Sequence, residues 1–257
     1  MRPLPKLLLT ELRTQVARLE KAQPPAGQAA VLPFGVTPLD SWLPEGGLRL
    51  GGLHEMSDAG PGVEHGSAAT LMAAGIMART VGQVLWVISE RDLFMPGLQG
   101  AGLQSDRVLL AEAGKDTLLV MEEGLRSPGL AGVVAEIRGR LSLTASRRLQ
   151  LAAERSGLLA IALRRSRKHD DPAMGEPSAA LTRWRIHALP SPPVLAHAPD
   201  TPGLGPPLWR LDLTRCRGGE AASWIVEACD AQGYLHLATD LADRSPAAQP
   251  ARQLAAG

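Results

Sequence analysis

The chain has 257 residues, 45% hydrophobic and 21% charged, with a formal net charge of +1. At roughly 150 residues per domain this allows one or two domains with a sizeable core and excludes wholesale disorder. The charge excludes a globally basic nucleic-acid binder but not a local basic patch, and the two cysteines, Cys216 and Cys229, are too few for a disulfide scaffold or a Cys-rich zinc site.

The first apolar run, 7–9, is soon interrupted by Glu11 and Arg13. It is neither a signal-peptide core nor a membrane span, and no later stretch is long enough, so a cytoplasmic protein with no membrane contact is expected. Over 1–22, Leu8, Leu12, Val16 and Leu19 recur at helical spacing among charged residues, which predicts an amphipathic helix with one narrow apolar stripe. That stripe either packs on the chain's own core or docks on another protein. Residues 23–31 contain two prolines and a glycine and read as a linker.

From residue 32 the pattern becomes strand, turn, helix. A short strand at 52–56 precedes a glycine-rich loop at 57–66 and a helix at 67–79. The apolar run 84–88 is of the kind buried on both faces of a parallel sheet. Strands at 109–111, 132–135 and 158–163 then alternate with helices at 116–125 and 145–155. This alternation predicts an α/β fold, a mostly parallel sheet flanked by helices, over a core of 32–189. After Pro172 the strict alternation at 183–187 predicts a half-buried strand, and 189–207 is a proline-rich connection. Residues 209–214, 224–226 and 234–237 form a small antiparallel meander, turned at Gly218-Gly219 and Gln232-Gly233. A C-terminal β extension thus spans 190–243, and 244–257 reads as a disordered tail.

Strand, glycine-rich loop and helix are the parts of a phosphate-binding loop, which also needs a lysine for the phosphate charge and a Ser or Thr for magnesium. With Gly66 as its last glycine, Ser67 falls at the lysine position and Ala68 at the metal-holding position. Gly60 and Gly62 flank Pro61, where the first glycine belongs. Asp58 and Glu64 add negative charge where an anion would sit, and no lysine lies between Lys21 and Lys115. The shape of a phosphate site is present without its chemistry, so no catalysis and no cofactor are expected. The six histidines show no metal-ligand spacing.

Positive charge gathers between 137 and 168, opposed only by Glu154. Arg147, Arg148, Arg164, Arg165, Arg167 and Lys168 are the candidate phosphate contacts there. No aromatic residue lies in 166–179 to stack a base, which weakens specific single-strand binding. A solvated face and a patch for an acidic protein partner remain open beside DNA.

Three upstream stretches, FGVTPLD at 34–40, LPEGGL at 43–48 and GGLHE at 51–55, resemble the approach to the phosphate loop in the RecA ATPase core. In that resemblance Glu90 falls at the catalytic glutamate and 130–136 at the Walker B strand, with Glu136 in place of the aspartate. Arg164 stands at the nucleotide-sensing glutamine. If they are not catalytic, Glu90 and Glu136 are expected to pair with Arg91 or Arg164. Beyond the core, WRLDLTRCRGG at 209–219 followed by Ser223-Trp224 resembles the signature of the ImuA family, a degenerate RecA-like family. The cell-division inhibitor SulA has a similar fold but lacks this tail. The resemblance implies a non-catalytic RecA-fold adaptor in the SOS response to DNA damage, acting in error-prone translesion synthesis. Its implied partners are RecA, the polymerase-like ImuB and, indirectly, the polymerase DnaE2, with DNA contact weak or indirect. Leu8, Leu12, Val16 and Leu19 are the expected RecA interface, and the meander and tail the expected surface for ImuB. The alternative is an ATP-dependent motor on single-stranded DNA with an atypical phosphate loop; a third reading is a DNA-binding module without ATP.

Overall fold

The computed structural model describes residues 30–238 except positions 61, 167, 169, 170, 195–197 and 199. The expected helix at 1–22 with Leu8, Leu12, Val16 and Leu19, nearly all of the linker, the tail at 244–257 and Arg167 lie outside the described residues.

A short antiparallel pair, β1 (Val31–Leu32) and β2 (Leu48–Arg49), brackets the one-turn helix α1 (Thr37–Asp40). Asp40 accepts the Phe34 N–H at 2.6 Å and the Gly35 N–H at 2.9 Å, holding a turn in which Gly35 takes a φ of +83°. A side chain at Gly35 would also strike the Tyr234 ring. This turn therefore ties the lead-in to the C-terminal region.

The strands that follow are β3 (Leu53–Asp58), β4 (Gln83–Ile88), β5 (Val108–Glu112), β6 (Leu130–Arg138), β7 (Leu159–Arg165), β8 (Thr182–Leu189), β9 (Leu208–Cys216), β10 (Ala222–Glu227) and β11 (His236–Leu237). They join in one nine-stranded sheet, ordered β11-β10-β9-β8-β3-β7-β6-β4-β5. Pairing is parallel from β5 to β8 and antiparallel from β8 to β11. The mostly parallel sheet and the small meander expected from the sequence are both present, with the meander continuing the same sheet beyond β8. Its last strand is shorter than expected, because Tyr234 and Leu235 stay outside it.

Helices α2 (Val63–Ala78) and α3 (Met95–Gly100) lie on one side of the sheet, and α4 (Thr117–Arg126) and α5 (Leu143–Ser156) on the other. Because strand side chains alternate, Trp86, Val134, Ile161 and Leu163 meet Met72 and Ile76 of α2. Val87, Val133, Ala135 and Ala162 meet Met121, Leu125 and Leu149 of α4 and α5. With both faces covered, the strands read as unbroken apolar runs. The sequence reading missed α3, although Pro96 in its first turn is a starting signal. Helix α5 starts at Ser142, whose hydroxyl accepts the Ala145 N–H, and stops at Gly157 with a φ of +73°. In the meander, Trp184 is fully buried with its ring 5.4 Å from Phe34 and 6.1 Å from Trp224. Both cysteines are free thiols. Among the described residues no helix is long and apolar enough to cross a membrane.

Candidate functional site

Open parallel sheets bind ligands beyond the carboxyl ends of their strands. There the ends of β3, β6 and β7 and the first turns of α2 enclose a cleft of about 450 Å³. Its wall carries Asp58, Gly62, Gly66, Ser67, Thr70 and Arg165. Phe94 and Val63, both largely exposed, stand at its rim.

The loop is shorter than the sequence suggests. Strand β3 runs on to Asp58 and α2 already begins at Val63, not Ser67, so Ala59 to Gly62 make the whole connection. Gly66 is therefore helical and donates its N–H to the Gly62 carbonyl at 3.2 Å. In a working phosphate loop such amides point at the anion; here this one is consumed by the helix. Gly60 is buried and Gly62 is the residue before the helix, in an extended conformation. Ser67 lines the cleft in place of a lysine, and Ala68 packs into the core with no oxygen to offer a metal.

Arg165 occupies the centre of the site. Its guanidinium donates to the Gly66 carbonyl at 2.8 Å and to the Thr70 hydroxyl at 2.8 Å, and it pairs with Glu136 at 3.1 Å. The Thr70 hydroxyl in turn donates to the Gly66 carbonyl at 2.8 Å. The other oxygen of Glu136 accepts the Trp86 indole N–H at 3.3 Å. Both oxygens of this buried carboxylate are thus taken. Asp58 accepts the Ser166 N–H at 2.9 Å. Burial pushes the Asp58 carboxyl above its ordinary value, and the Ser166 bond, Arg165 and His65 oppose that rise.

Glu90 stands mostly exposed beyond β4, with Arg138 Nε 3.4 Å away in an ion pair not aligned as a hydrogen bond. Arg138 also pairs with Asp92. The expected partners were different: Arg91 pairs instead with Glu112, and Arg164 with Glu55. Strand alternation gives the reason. Arg165 shares the α2 side with Glu136, whereas Arg164 points to the opposite side.

Arg164 is 1% exposed. It lies 3.4 Å from Glu55 and donates to the carbonyls of Gly139 at 2.8 Å and Ala173 at 3.0 Å. Arg183 on β8 holds the same Glu55 oxygen at 3.1 Å. Glu55 is thus a mid-strand residue clasped by two arginines, not the strand's end. Arg164 is therefore buried in an ion pair on one side of the sheet, while Arg165 on the other side faces the cleft with its guanidinium bonded to Gly66, Thr70 and Glu136. Arg147 and Lys168 are exposed, and Arg148 reaches Glu122 of α4 at 2.5 Å. The basic stretch accordingly splits into interior ion pairs, the outer face of α5 and the segment after β7.

The residues present do not fit a nucleoside triphosphate with magnesium. Lysine and metal-binding hydroxyl are missing, a loop amide is bonded within the helix, and an arginine neutralises the carboxylate of β6. Asp92, Phe94, Val63 and Arg138 were not read from the sequence as site residues, because their positions match no phosphate-loop pattern. Among the described residues, no three of His, Cys, Asp or Glu are grouped to hold a metal ion.

Strand order, the helix rising from the loop after β3 and the parallel core define a RecA-like fold. The crystal structure of the RadB recombinase matches the chain with a TM-score of 0.56, over 79% of this chain and 97% of that one, at 18% identity. No family model matches the sequence. Protein ImuA of Caulobacter vibrioides, from strain NA1000 / CB15N and from strain ATCC 19089 / CIP 103742 / CB 15, is 42% identical over 235 residues, covering 86% of this chain and 94% of that protein. The chain belongs to the ImuA family.

Proposed function

We propose that this protein is a RecA-fold adaptor in damage-induced mutagenesis, bringing proteins together for error-prone translesion synthesis in the cytoplasm without hydrolysing ATP. The observation that supports this most is the Arg165 cluster. One guanidinium holds the Gly66 carbonyl, the Thr70 hydroxyl and Glu136 together, where triphosphate and magnesium would need free amides and a free carboxylate. Phosphoryl transfer relies on positioning and charge stabilisation, and this arrangement offers neither. The motor alternative would need Arg165 and Arg138 to release their carboxylates first.

RecA is the proposed partner of the stripe Leu8, Leu12, Val16 and Leu19, and an ImuB-type protein that of the C-terminal meander and tail, with DnaE2 recruited indirectly. Introducing Leu12→Asp with Val16→Asp should weaken RecA association at least about tenfold, which is about 1.4 kcal/mol, while the melting temperature stays unchanged. Calorimetric titration with RecA reads the effect. Undiminished affinity in the folded double variant would exclude the helix as the contact. Deleting 244–257 should leave RecA binding intact and lower binding of the ImuB-type partner.

A further inference from the structure

The outer seam between α4 and α5 lies on the side of the sheet away from the α2 cleft. Arg126 and Arg148 each hold one oxygen of Glu122, which is 6% exposed, so this carboxylate bridges the two helices. On one side of the bridge lies a hollow of about 480 Å³ lined by Leu125, Leu151 and Arg155. On the other lies one of about 270 Å³ lined by Leu118, Leu119, Lys115 and Asp116. Together they form a trough along the seam. Leu151 and Leu119 are each more than half exposed in it, where a purely solvated helix face would carry polar side chains. Leu151 stands one helical turn from Arg147, Arg148 and Arg155. Among the described residues, Arg147, Arg155 and Lys115 form no ion pair with a carboxylate.

Leucines set among cations (Lys115, Arg126, Arg148 and Arg155) that outnumber the carboxylates Asp116 and Glu122 select a ligand with matching chemistry, acidic side chains around an apolar anchor. We infer that the α4–α5 trough docks an acidic, leucine-bearing peptide segment of a partner protein. Nucleic acid fits it less well. Phosphates gain nothing from exposed leucines, and no aromatic residue lines either hollow to stack a base. The chain's own N-terminal segment does not fit either. Over 1–22 it carries Arg2, Lys6, Arg13, Arg18 and Lys21 against Glu11 and Glu20, the same sign as the rim.

The inference deepens the adaptor reading and rests on it for its biological sense, but its test is separate. Fluorescence anisotropy of the full chain is measured with three labelled probes: an amphipathic peptide of Glu, Asp, Leu and Ala, an acidic peptide of Glu and Ala without leucine, and oligo(dT). The leucine-bearing peptide should bind saturably and more tightly than the other two. Leu151→Asp alone and Arg155→Glu alone should each weaken it, and together by about tenfold or more. Both residues lie on the surface, so circular dichroism and melting should match the parent; Leu151→Ala serves as a milder variant. The inference is overturned if the amphipathic peptide does not bind, if Leu151→Asp leaves its binding unchanged, or if oligo(dT) binds best and only the arginine substitution matters. Failure here with RecA association intact would sink the trough and leave the adaptor reading standing. Absence of RecA association in the parent protein would sink the adaptor reading whatever the peptide does.

Discussion

Replacing Arg164 with methionine should lower the free energy of unfolding by about 3–5 kcal/mol, the cost of breaking a buried ion pair from one side. Arg164 and Glu55 have side chains only 1% and 2% exposed, so water cannot take over from a missing partner. The substitution would leave Glu55 with Arg183 alone and strip the Gly139 and Ala173 carbonyls of their donor. Burial pulls the Arg164 pKa below its ordinary value and Glu55 pushes it back, which identifies the carboxylate as what keeps the cation tolerable. Adding Glu55→Leu to Arg164→Met should recover little of the loss, because Arg183, only 14% exposed, then loses its own carboxylate. Arg147→Ala, on the exposed face of α5, should shift stability by less than about 0.5 kcal/mol. Urea denaturation of the four proteins checks the set, and equal effects from Arg164 and Arg147 would contradict the division of the basic stretch.

Acidification should cost about 3 kcal/mol of stability through His54. The ring is fully buried, with Nε2 2.9 Å from the Arg49 carbonyl and Nδ1 2.8 Å from the Thr182 hydroxyl. A carbonyl only accepts, so Nε2 carries the proton. The Thr182 oxygen already accepts the Trp184 indole N–H at 2.8 Å, and its own hydrogen goes to Nδ1. A neutral imidazole satisfies this chain, whereas a second proton would bring a charge into a fully buried site and displace the Thr182 hydrogen from Nδ1. Burial accordingly pulls the pKa down from 6.5 to about 4, opposed by the bond to Arg49. Between those values the unfolded chain takes up a proton that the folded chain refuses. The contribution is thus complete above pH 6.5 and disappears as the pH falls towards 4, at about 1.4 kcal/mol per pH unit. Asp58, raised by burial, acts in the opposite sense. A His54→Gln variant isolates the histidine: its stability profile should be flatter across that window, and parallel profiles would refute the assignment.

The sheet was legible because its strands are buried on both faces, which leaves uninterrupted apolar runs such as Val84 to Ile88. The start of α2 was not. Glycines at 60, 62 and 66 suggest a loop, yet Glu64 in the first turn and the apolar spacing of Ala69, Met72, Ala73 and Ile76 suit a helix already under way by Gly66. Missing chemistry at Ser67 and Ala68 could be read from residue type alone. The ion pairs could not, because Arg164 and Arg165 are neighbours in sequence and face opposite sides of the sheet. Alternation separates them, but only strand order shows that β7 lies between β6 and β3 and therefore which carboxylate each meets. His54 carried no signal, since its environment is built from Thr182 and Trp184, more than a hundred residues away.

The most direct test is calorimetric titration of the full chain with ATP and magnesium, with and without single-stranded DNA. An adaptor whose phosphate site is held by Arg165 predicts no saturable heat up to millimolar nucleotide in either case. Saturable binding, tightened by DNA and lost on Glu90→Gln, would contradict the account and make the protein a nucleotide-driven motor.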